Sequence, residues 1–82
     1  MTPKEFKRKR LTAKVKILQD GGEFIGSRFY GGFEVHLYQL DDFFVEVWKR
    51  IGLGIAYIEV ANNQEIIQSY LDRIDLKKDL DL

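Results

Sequence analysis

Two consecutive glycines, Gly31-Gly32, separate two runs rich in aromatic and β-branched residues, Phe24 to Tyr30 and Phe33 to Leu40. A two-residue link of this kind closes an antiparallel hairpin, because glycine accepts the positive φ that such turns demand. The hairpin constrains the rest of the middle segment. Asp41-Asp42 is a second short polar turn, and Phe43 to Lys49 is a third run with strand composition. Ile51-Gly52-Leu53-Gly54 reads as a loop, and Ile55 to Val60 is a fourth run. Strands are therefore expected over 23–30, 33–40, 43–49 and 55–60. Their short links make an antiparallel meander.

Helices are expected on either side. Thr2-Pro3-Lys4-Glu5 is a helix start: Thr2 caps, Pro3 suits the first turn, and Glu5 closes a capping box. Gly21-Gly22 is the stop signal. Between them two periods compete. Leu11, Val15 and Leu18 recur at helical spacing, while Leu11, Ala13, Val15 and Ile17 alternate as in a strand. The caps and the Lys, Arg, Leu and Ala content favour one helix over residues 3–20. Asn62, with Glu65 behind it, caps a second helix over 62–74, whose stripe is Ile66, Ile67, Tyr70, Leu71 and Ile74. Residues 75–82 carry no stop signal and are expected to be a partly ordered tail. The expected architecture is a single α+β domain over residues 1–82. Its order is α-β-β-β-β-α, a four-stranded antiparallel meander packed with two helices.

With 82 residues and no cysteine, the chain has to fold on its apolar core alone. No apolar run approaches the roughly 20 residues of a membrane span. These features predict a soluble cytoplasmic protein with no membrane partner. The thirteen Lys and Arg balance the thirteen Asp and Glu, but unevenly. Residues 1–19 hold seven cations against Glu5 alone, a net of +6, and the remainder is correspondingly acidic.

If both turns hold two residues, Tyr30 faces Phe33 and Leu40 faces Phe43. One sheet face then gathers Phe24, Arg28, Tyr30, Phe33, Val35, Leu37, Phe44, Glu46 and Trp48. The other gathers Ile25, Ser27, Phe29, Glu34, His36, Tyr38, Leu40, Phe43, Val45 and Val47. A bulge at Asp41-Asp42 would turn the third strand over and place Glu34, His36, Tyr38, Phe44, Glu46 and Trp48 together. In either register both faces carry aromatics. His36, Tyr38, Phe44, Glu46 and Trp48 are accordingly the candidate face for a protein partner or a homodimer, with an accessible aromatic expected among them.

Catalytic constellations are thin. His36 is the single histidine and has no partner motif, and Ser27 and Ser69 sit in no nucleophile motif. Glu34, Glu46 and Glu59 would approach a cation only if they faced one way, and Gly52-Leu53-Gly54 lacks the rest of a phosphate loop. The expectation is a non-enzymatic module with no catalytic residue, no metal and no cofactor. The sharpest charged cluster is Lys7, Arg8, Lys9 and Arg10, which could contact nucleic acid or another polyanion. An ordinary solvated helix face is the simpler account, since the pI near 6.6 is not that of a basic nucleic-acid binder.

The middle and end of the chain resemble small uncharacterised bacterial α+β proteins of unknown function. The resemblance rests on Tyr30-Gly31-Gly32-Phe33, Leu37-Tyr38, Leu40, Val45-Glu46-Val47-Trp48 and Ser69 to Leu76, and covers about residues 23–76. It implies a bacterial source and carries no activity with it. Lys7 to Arg10 departs from those relatives, which are less basic before the first strand.

Overall fold

The computed structural model describes residues 1–61. The expected second helix, 62–74, and the tail, 75–82, lie outside the described residues. The order is α1 (Pro3–Lys7), α2 (Leu11–Gly21), β1 (Glu23–Tyr30), β2 (Phe33–Leu40), β3 (Phe43–Arg50) and β4 (Gly54–Ala61). The strands form one antiparallel sheet in the order β1-β2-β3-β4, the meander that the short turns predicted.

The single helix expected over residues 3–20 is two helices. The capping box at its start is present: the Glu5 amide donates to Thr2 Oγ1 at 3.1 Å, and the Thr2 amide donates to Glu5 Oε1 at 3.0 Å. Yet α1 ends after five residues, and α2 begins beyond Arg10 without a side-chain cap. Burial explains the break. Phe6 and Leu18 are the buried residues of the two helices. On one straight helix they would point about 120° apart, at 3.6 residues per turn. The bend at Arg8 to Arg10 lets both face the sheet. Phe6 meets Phe43 edge-on, with ring centroids 6.1 Å apart.

The stop at Gly21-Gly22 holds for a different reason than a left-handed cap. Gly22 has φ −85°, and its amide donates to the Leu18 carbonyl at 2.8 Å. A Cβ on Gly22 would lie 2.7 Å from that carbonyl oxygen. The residue must be glycine because the backbone approaches so closely.

Both short turns hold two residues, with Gly31 at φ 59° and Asp41 at φ 53°. Tyr30 therefore faces Phe33, and Leu40 faces Phe43. No bulge occurs at Asp41-Asp42, so β3 keeps the first of the two registers. One bulge occurs on β1, where Ile25 stands unpaired between Phe24, opposite Tyr38, and Gly26, opposite Leu37. It exchanges the expected places of Phe24 and Ile25. Phe24 joins His36 and Tyr38, and Ile25 packs with Val35, Leu37 and Trp48. A second bulge leaves Ala56 unpaired on β4, between Tyr57 opposite Trp48 and Ile55 opposite Lys49.

The two faces carry separate cores. On the helical face Phe6 and Leu18 close over Leu40, Phe43, Val45, Val47 and Ile58. On the opposite face the buried apolar residues are Val35, Leu37, Trp48 and Ala61. No described helix is long and apolar enough to cross a membrane.

Candidate functional site

The register assembles an aromatic cluster on the face opposite α1 and α2. Trp48 lies between Val35 on β2 and Tyr57 on β4, while Tyr30 and Phe33 are paired one step nearer the Gly31-Gly32 turn. Trp48 and Tyr57 stack nearly parallel, with centroids 5.3 Å apart and planes 13° from each other. Tyr30 and Phe33 meet the Trp48 ring edge-on at 5.9 and 5.4 Å. Offset stacks and edge contacts are the favoured arrangements of aromatic quadrupoles.

Two guanidinium groups frame the cluster. Arg28 lies 5.6 Å from the centroids of both Tyr30 and Trp48, and Arg50 lies 5.7 Å from that of Phe33. Arg28 also donates to Glu46 Oε2 at 3.2 Å. Glu46 is the one buried charged residue among those described, so the ion pair helps Arg28 hold a carboxylate away from water. The buried indole N–H of Trp48 has no acceptor among the described residues.

Exposure changes sharply across this cluster. Trp48 is buried, whereas Tyr30 and Tyr57 are 62% and 42% exposed. The Tyr57 phenol is raised above its usual value of 10.0, first by partial desolvation and then by the carboxylates of Glu59 and Glu46. Phe29, Ile51 and Leu53 are also largely exposed, and they sit at the same end of the sheet. The two turns there are tied together, the Ile51 amide donating to the Gly32 carbonyl at 3.2 Å.

The candidate face read from the sequence is divided by the fold. Phe44, Glu46 and Trp48 share the aromatic face, whereas His36 and Tyr38 project to the helical face beside Phe24. His36 Nε2 lies 3.0 Å from Glu34 Oε2 but makes no hydrogen bond of acceptable geometry. Glu34 is on the helical side and Glu46 and Glu59 are paired on the other, so the three glutamates do not converge. Lys7, Arg8, Lys9 and Arg10 are all exposed, at the junction of α1 and α2 rather than on one helix face.

Sequence reasoning misses Tyr30, Tyr57 and Arg28 as site residues. Tyr57 can be placed only by knowing the Ala56 bulge, which decides what lies opposite Trp48. Arg28 and Tyr30 share the Trp48 face in the two-residue-turn register, and that neighbourhood is the signal that could have found them.

No family model matches the chain, and neither a curated protein nor a solved structure matches it. The cluster must be interpreted from its own chemistry.

Proposed function

We propose that the protein is a small non-enzymatic interaction module that pairs with a second copy of itself through the aromatic end of its sheet. The observation that carries this is the exposure of Tyr30 and Tyr57 against a buried Trp48 framed by arginine, with Ile51 and Leu53 exposed in the turn at the same end. Tyrosine, tryptophan and arginine are the side chains most enriched at the energetic centres of protein interfaces. The charge around the cluster is mixed, with Arg28 and Arg50 beside its rings and Glu46 and Glu59 acting on the Tyr57 phenol, which suits a self-complementary two-fold contact. A small domain also gains burial by pairing.

The test is sedimentation over a range of concentrations, together with quenching of the single tryptophan. The wild type should self-associate, and a Tyr57→Ser, Leu53→Ser double variant should stay folded and monomeric. A wild-type chain that remains monomeric throughout would overturn the reading.

A second reading has its own observation. Lys7, Arg8, Lys9 and Arg10 are exposed on a bend, and none forms a salt bridge among the described residues. We infer a weak polyanion contact there, nucleic acid included. Retention on heparin should fall with salt as counterions compete. Changing all four to Gln should abolish retention, and unchanged retention would remove the cluster from consideration.

A further inference from the structure

Among the described residues, α2 leaves part of the helical face of the sheet uncovered. A cleft of about 160 Å³ opens there, between Val15 and Leu18 of α2 and Val47, Ile55 and Ile58 of the sheet. It is mainly apolar, with Lys49 on its wall. Lys49 and Ile55 also line a shallower hollow that continues towards the Ile51-Gly52 turn, beside Arg50. The apolar floor and the cation thus meet at one strand position.

Lys49 has no ion-pair partner among the described residues. The carboxylate nearest in register is Glu34, directly across the β2–β3 pair. Glu34 instead places its oxygen 3.0 Å from His36 Nε2. An ammonium group beside an apolar cleft calls for a ligand with an anionic end and a short hydrocarbon body. At roughly 30 Å³ for each water-sized group, the cleft holds about five such groups. That matches the chain of a six-carbon acid.

We propose that this cleft binds a short aliphatic carboxylate, its chain lying over Val47, Ile55 and Ile58 and its carboxylate on Lys49. The cleft over Val47 and Ile58 is on the opposite face of the sheet from Trp48 and Tyr57, so its occupancy and the proposed self-association can be tested separately.

The probe is sodium hexanoate below its aggregation range, read by methyl NMR of the full chain. Shifts are expected at Val15, Leu18, Val47, Ile55 and Ile58. Affinity should rise about fourfold for each added methylene from butanoate to hexanoate, the usual worth of a buried methylene. Hexylammonium should leave the same methyls unmoved. Lys49→Gln, checked for folding by its melt, should weaken hexanoate by about tenfold or more, as expected for a lost charged hydrogen bond. Lys49→Glu should transfer the preference to hexylammonium.

Equal response to both head groups would overturn the proposal, as would shifts confined to the aromatic face. Tighter binding of a short peptide ending in a free leucine would overturn it in favour of a peptide terminus. Shifts of these methyls with protein concentration alone would overturn it in favour of a second copy of the chain.

Discussion

Replacing Phe6 with Ala tests why the N-terminal segment bends. Phe6 is 0% exposed although it belongs to a helix of only five residues. It touches Phe43 edge-on, and the Lys14 ammonium lies 5.7 Å from its ring centre. Removing a fully buried phenylalanine forfeits its transfer free energy and leaves a cavity, together about 3–5 kcal/mol. A chain of this length has a total stability of about 4–12 kcal/mol, at roughly 0.05–0.15 kcal/mol per residue. The variant should therefore lose a large fraction of its stability. At about 1–3 kcal/mol per molar, its urea midpoint should fall by about 1 M or more. Circular dichroism during urea titration supplies the measurement, with m compared so that a change in compactness is not mistaken for a change in stability. The control is Phe29→Ala, since Phe29 is 67% exposed and its loss should change stability by no more than about 0.5 kcal/mol. If Phe6→Ala and Phe29→Ala cost the same small amount, Phe6 is not a core residue and the bend has another origin.

Three further perturbations test particular contacts. Gly22→Ala should cost about 1–3 kcal/mol in thermal or urea unfolding, because the new Cβ meets the Leu18 backbone and forces it to shift. Gly31→Ala meets no neighbouring atom, so its cost should be the smaller penalty of about 1–2 kcal/mol for a side chain at φ 59°. The Tyr57 phenol should ionise above 10.0 in a spectrophotometric titration, and Tyr57→Phe should remove that step. Since its folded value is raised, the stabilisation linked to it is complete below the unfolded value and is lost as pH rises through the folded one. A Tyr57 titrating below 10.0 would contradict its partly desolvated placement against Trp48.

The sheet is legible in the sequence because its turns are. Gly31-Gly32 and Asp41-Asp42 each set a two-residue link, and with the link fixed the pairing across β1, β2 and β3 comes by counting. Counting fails where the backbone departs from strict alternation. Neither Ile25 nor Ala56 differs in chemistry from an ordinary strand residue, so each bulge is a property of the pairing rather than of the side chain. The helical segment eludes a local reading for a related reason. Its start at Thr2 and its end at Gly22 are local signals, but the break depends on Phe6 and Leu18 both finding the same sheet. The candidate face is divided because His36 and Tyr38 join Phe44, Glu46 and Trp48 only in the bulged register that the chain does not adopt.

The two bulges lie on β1 and β4, the outer strands of the sheet. An outer strand offers unpaired amides and carbonyls to any extended chain that approaches, and a local kink with added twist spoils the match. Among the described residues, each outer strand is thus interrupted within its own length. Further strands, from a neighbouring molecule or from an unfolded one, meet no long flat template. For a chain rich in β-branched and aromatic residues, such kinks work against strand-by-strand growth of the sheet.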